Sequence, residues 1–164
     1  MMSVLCAVAE RHAVPVGLYG STPETLSALR AALLKTYPAL RISFTMSPPF
    51  RALTATEQAD VFRQMREADV RLLFVALGCP KQERWMLEHR EQVDCVMVGV
   101  GAAFEMLSGR VPAAPVWAQR AGLEWAYRLS REPRRLWRRY AKHNVRFVVL
   151  IGRQILRERY LARR

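Results

Sequence analysis

VRLLFVALGCPKQERWMLEHR, running from Val70 to Arg90, contains a strand, a turn and the start of a helix in one pass. After Arg71 the first part is apolar without alternation, as expected for a strand covered on both faces. It ends at Gly78, turns through Cys79-Pro80 and restarts as KQERWMLEHREQ, charged and helical in spacing. The same order recurs on either side. Upstream, VPVGLYG ends at Gly20 and leads into STPETLSALRAALLKTYP. Ser21 or Thr22 is the expected N-cap there, with Pro23 at the first helical position and Glu24 in the first turn. Leu26, Leu29, Leu33 and Leu34 keep helical spacing. LRISFT (40–45) predicts a second strand, MSPPF a loop, and TATEQADVFRQMREAD (54–69) a Thr-capped helix. DCVMVGVG (94–101) predicts a fourth strand. The series βαβαβαβ predicts an α/β fold: a Rossmann-like parallel sheet with right-handed crossovers and helices on both faces. About ten residues precede the first strand, too few for a further β-α unit.

Composition narrows the class. With 164 residues and 51% hydrophobic content, the chain can bury a core and is no disordered segment. No run approaches the roughly 18 apolar residues of a spanning helix. MMSVLCAVAERHA lacks the basic start of a secretory signal. Cys6, Cys79 and Cys95 form no CxxC pair, which suggests a reduced cytoplasmic setting without disulfide or zinc. The net charge of +12 is unevenly placed: residues 1–109 balance, and residues 110–164 hold 15 Lys and Arg against 3 acidic residues. We therefore expect two parts, a core over 1–109 and a basic helical appendage over 110–164, the second with a polyanionic partner.

In an open parallel sheet, ligands bind beyond the carboxyl ends of the strands. Four loops qualify: Gly20-Ser21-Thr22, Met46 to Phe50, Gly78 to Glu83, and Gly99 to Glu105. GVGAAFE lacks the third glycine of a dinucleotide fingerprint and follows the fourth strand, so a Rossmann dehydrogenase is disfavoured. No G-x-x-x-x-G-K-[ST] occurs, which excludes a P-loop hydrolase.

LGCPKQERW, VGVGAAFEMLSG and GLEWAYRLSREPRRLWRRY, in that order and with the loop between Val16 and Pro23, resemble the WecG/TagA/CpsF glycosyltransferases (glycosyltransferase family 26). The resemblance runs from about Val14 to Val148. It implies transfer of an N-acetylhexosamine-type sugar, N-acetylmannosamine, its uronic acid or a relative, from a UDP donor. The implied acceptor is a polyprenyl-diphosphate-linked saccharide, and the implied place is the cytoplasmic face of the membrane. By the same resemblance Gln82 lies in the active-site pocket, where a neutral amide can hydrogen-bond a donor hydroxyl or phosphate oxygen. Gly20, Ser21, Gly78, Pro80 and Lys81 join it on the nucleotide-sugar side. Gly99, Gly101, Phe104 and Glu105 match the nucleotide-side loop, with Glu105 where the family usually has Asp. No cofactor or metal is implied; the UDP-sugar is a substrate.

The resemblance also places Arg128, Arg135 and Arg138 on an appendage that meets the acceptor diphosphate, for which a guanidinium fork is well shaped. From Arg134 to Tyr160, apolar residues recur between arginines in a pattern suited either to an anionic membrane interface or to docking on the sheet. The family further carries Thr-Pro-Asn-type and Asp-Gly motifs, the latter with its proposed catalytic base, ahead of the region corresponding to Val14. MMSVLCAVAERHA matches neither, so the chain reads as the C-terminal two-thirds of such an enzyme. Ala113 stands where the family often has arginine. His12, His89 and His143 are expected to be solvated, and Trp85, Trp117 and Trp125 to be packing anchors. A nucleic-acid binder with an Arg-rich tail, or an inactive UDP-binding remnant, remains the rival reading. The former explains the charge but not GCPKQE. A homo-oligomer is left open.

Overall fold

Four strands carry the core of the computed structural model: β1 (Val16–Gly20), β2 (Ile42–Met46), β3 (Leu72–Ala76) and β4 (Val96–Gly99). The structure describes residues 1–110 and, beyond them, positions 120, 122, 123, 127, 129, 130, 151 and 154. The chain divides into two compact units, Met1–Pro112 and Ala113–Arg164. Arg128, Arg135 and Arg138 and, apart from positions 151 and 154, the basic stripe 134–160 lie outside the described residues.

All strands pair in parallel, in the order β2-β1-β3-β4. Helices α1 (Met2–Arg11), α2 (Pro23–Thr36), α3 (Ala55–Glu67), α4 (Lys81–His89) and α5 (Ala103–Leu107) complete this unit. The faces follow from strand alternation. Val16, Leu18, Leu72, Phe74 and Ala76 pack with α1, α2 and Phe104 of α5. Tyr19, Leu73 and Val75 pack with Val61, Phe62 and Met65 of α3 and with Trp85 and Met86 of α4. The path runs outward from β1 to β2, then reverses to β3 and β4. Right-handed crossovers then put α2 on one face and α3 with α4 on the other. The reversal leaves a crevice between the carboxyl ends of β1 and β3, the switch point where such sheets bind ligands.

Helix starts obey their local chemistry. Thr22 caps α2, its Oγ1 accepting from Thr25 N at 3.3 Å, with Pro23 at the first position. Thr54 and Glu57 form a reciprocal capping box on α3. Two elements were not expected from sequence. Met2, Cys6 and Ala9 are spaced as one buried helical stripe, and the Tyr37 hydroxyl donates to Ser3 O at 3.0 Å, so the N-terminal residues form α1. Burial pushes the Cys6 thiol up to about 11, which keeps it a protonated core residue. The short α5 arises inside what the sequence suggested was loop, because Phe104 is fully buried and draws its turn onto the core.

Candidate functional site

The crevice at the switch point is a cleft of about 600 Å3. Its floor is Tyr19 and Ser21 from the end of β1 and Ala76 to Gly78 from the end of β3. One wall is the loop Pro48 to Leu53 with Gln58 of α3; another is Lys81, Arg84, Trp85 and Glu88 of α4; Glu105 completes it.

The floor is built by close backbone approach. Gly20 has φ +119°, and a Cβ there would lie 2.4 Å from the Ala76 carbonyl oxygen. Ser21 N–H donates to that same carbonyl at 3.1 Å. Ser21 itself has φ +60°, an uncommon conformation for a residue with a side chain, and such strain concentrates at ligand sites. Its hydroxyl donates to Glu105 Oε1 at 3.2 Å, tying the β1 loop to α5. Its carbonyl accepts from the Ser47 hydroxyl at 2.6 Å, tying it to the β2 loop. Tyr19 is buried beneath, its phenol pushed up to about 12 by desolvation, so it stays a neutral part of the floor.

Of the residues expected on the nucleotide-sugar side, Ser21, Gly78, Lys81 and Glu105 line the cleft. The others support it from behind or beside. Gln82 is buried at 6% exposure and does not line the cleft. Its Oε1 accepts from Gly101 N at 3.2 Å, and its Nε2 donates to Glu83 Oε1 at 3.0 Å. Gly99 exists to admit it, since a Cβ there would lie 2.8 Å from Gln82 Nε2. Gln82 therefore fastens the β4 loop to the first turn of α4. Phe104 is likewise core, not cleft. Pro80 follows a cis peptide bond and caps α4 at the exposed turn.

Sequence reasoning missed Gln58 and Arg84 as cleft residues, and it gave Trp85 only a packing role. Trp85 does pack: its ring centroid is 4.7 Å from Tyr19, 6.3 Å from Phe62 and 5.0 Å from His89. His89 is thereby half-buried, not solvated, with Nδ1 2.7 Å from Trp85 O. Among the described residues three buried side-chain atoms lack a hydrogen-bond partner: Gln58 Nε2, Trp85 Nε1 and Glu105 Oε2. All three belong to residues lining this cleft. A buried polar group left unpaired costs about 1–3 kcal/mol.

Phe50 stands at the cleft on a loop held at both flanks, and it is 91% exposed. Pro48-Pro49 stiffens one side. On the other, Arg51 donates two hydrogen bonds to Glu57, at 2.7 and 2.6 Å. The guanidinium of Arg51, then the Thr54 backbone N–H, draws the Glu57 carboxyl down from 4.5 to about 2. A carboxyl depressed in the folded state stabilises above its unfolded pKa. That contribution is lost as pH falls from about 4.5 through about 2. We expect Glu57→Gln to remove this part of the acid limb in thermal melts between pH 6 and pH 2, with the difference from wild type vanishing at the acid end.

Among the described residues no cluster of three His, Cys, Asp or Glu could hold a metal ion, and no helix is long and apolar enough to cross a membrane. The profile of the Glycosyl transferase WecG/TagA/CpsF family matches residues 1–161, a span that includes α1. A relative from Bacillus subtilis (strain 168), the N-acetylglucosaminyldiphosphoundecaprenol N-acetyl-beta-D-mannosaminyltransferase, is 31% identical over 136 residues. That alignment covers 82% of this chain and 51% of the relative, so the chain spans about half the length of the curated relative it matches.

Proposed function

The chain belongs to the WecG/TagA/CpsF family of glycosyl transferases, and on that premise we propose that its cleft binds a UDP-linked N-acetylhexosamine. The sugar, N-acetylmannosamine or a close relative, passes to a polyprenyl-diphosphate-linked saccharide at the inner membrane face. The observation that carries this reading is the cleft's position at the β1/β3 switch point, with Ser21 and Glu105 bridged across it. Strand-end loops there suit a nucleotide. Lys81 and Arg84 line the same cleft and can offset the diphosphate charge. The reaction we propose uses no metal or other cofactor, so a chelator leaves transfer unchanged. Gly20, Gln82, Gly99, Gly101 and Phe104 act as supports that hold the loops in place. Arg128, Arg135 and Arg138 bind the acceptor diphosphate, and the basic segment from 110 onward meets anionic headgroups. A nucleic-acid partner is less well supported, since it would leave the cleft unused.

Calorimetric titration with UDP and UDP-N-acetylmannosamine, followed by a transfer assay on a polyprenyl-diphosphate-linked N-acetylglucosamine, tests this. Saturable binding of both nucleotides is the expected result; a folded protein that binds neither would sink the reading. Phe50→Ala serves as a local probe. Because its ring is exposed, melting temperature should not move, while loss of a face for a sugar or base ring should weaken binding about five- to tenfold.

A further inference from the structure

We propose that the outer edge of β4 and the free flank of α1 form one docking surface, whose occupant is a fifth, parallel strand carried by polypeptide beyond these 164 residues. β4 is last in the order β2-β1-β3-β4, so its far side has no neighbour among the described residues. Val96 N–H donates to Arg71 O at 3.0 Å and Val100 N–H to Val75 O at 2.9 Å. Strand alternation therefore turns the backbone groups of Met97 and Gly99 outward. Further on, Gly101 N–H is already taken by Gln82 Oε1 at 3.2 Å, which closes that end of the edge. The open stretch, VMVG, has neither a charge nor a proline to blunt it, and Val96 is 65% exposed. A bare apolar edge of this kind is a template for strand pairing.

α1 supplies the other half of the surface. Ser3 O accepts from the Tyr37 hydroxyl, and the Glu10 carboxylate accepts from Ala39 N–H at 2.9 Å. These two residues mark the flank of α1 turned to the end of α2. At about 100° per residue, Met1, Val4 and Val8 fall on the opposite flank, across the buried stripe of Met2, Cys6 and Ala9. All three are exposed. Val96 stands in alternation with Val98, which packs in the layer that α1 covers, so strand edge and helix flank belong to the same face.

Handedness selects the occupant. β1 passes through α2 to β2, and α2 covers the same face as α1. β2 reaches β3 through α3, and β3 reaches β4 through α4, moving the other way across the other face. By the same right-handed rule, a parallel strand joined to β1 through α1 must come from the β3 side, where the first free place is beyond β4. The Bacillus subtilis relative, whose length this chain spans only in part, carries further polypeptide. Pairing parallel to β4 would set the carboxyl end of the new strand beside the loop that leads to Glu105, a residue lining the cleft.

The test mixes this chain with the remaining part of that relative, produced as a separate polypeptide, and measures mass by light scattering and amide hydrogen exchange. The expected result is a one-to-one complex in which the Met97 and Gly99 amides exchange about tenfold more slowly than in the chain alone. Val96→Lys and Val8→Lys, at exposed positions, should leave melting of the chain alone unmoved and weaken the complex about tenfold. Thr45→Lys, on the opposite edge strand, should not weaken it. Absence of a complex overturns the proposal, as does a complex indifferent to both valine variants. Met97 and Gly99 amides already protected in the chain alone overturn it too, because the edge is then otherwise covered. If the chain alone forms a dimer that Val96→Lys dissolves, a second copy is the occupant and the fifth strand is refuted.

Discussion

Gly20→Ala will destabilise the core by about 4 kcal/mol, seen as a large fall in the urea midpoint with little change in slope. The added methyl group would meet Ala76 O at 2.4 Å and Ala76 C at 2.6 Å, both backbone atoms of a central strand. Rotating a side chain cannot relieve that contact. Moving β3 away would break the Ser21 N–H to Ala76 O bond and the β1–β3 ladder beneath it. The backbone at Gly20, with φ +119°, is in any case open to few residues other than glycine. Gly78→Ala is the control. Gly78 also has positive φ, at +81°, but a Cβ there meets nothing within 4 Å, so only conformational strain of about 1–2 kcal/mol is expected. Equal effects at the two sites would show that the ends of β1 and β3 are not in such close contact.

The second large effect is at Gln82. Gln82→Leu keeps the volume roughly but leaves Gly101 N–H without its acceptor and Glu83 without a donor. We expect a loss of about 2–3 kcal/mol together with weakened ligand binding, because the freed loop leads into α5 and Glu105. A side chain that only touched ligand would lower affinity and leave stability alone, so the paired readout separates the two roles. Gln82→Glu refines the point. Its carboxyl could still accept from Gly101 but would sit buried beside Glu83. Burial and like charge raise the pKa of such a group in the folded state, so the folded protein binds more protons than the unfolded chain. Stability of this variant should therefore fall as pH rises from 5 to 8, while wild type changes little over that range.

The fold was readable where packing repeats locally. Apolar strands broken by Gly20 and Gly78, and helices opened by Thr22 and Thr54, announce themselves within a few residues. The first helix escaped notice because its stripe, Met2, Cys6 and Ala9, is short and made of residues common in any segment. The strand-end position of the cleft follows from the βα order, which brings Ser21, Gly78, Lys81 and Glu105 to its lining. The bracing contacts of Gln82 were not legible, for a physical reason. A polar residue in the first turn of a helix suggests exposure or ligand contact, and nothing local records that Gly99 has left a space for it. Gln58 lay hidden in a charged helix, since its orientation towards the cleft depends on how α3 packs and not on neighbouring residues.

The hydrogen bond from Ser21 to Glu105 joins positions 84 residues apart. Aspartate at the second position would have a side chain one methylene shorter and would draw the carboxylate back from the serine hydroxyl. The hydroxyl would then be free to turn towards whatever occupies the cleft. Arm length at one end thus sets the task of the residue at the other. The two sites should consequently drift together through evolution, with a change at 105 answered by a change at 21.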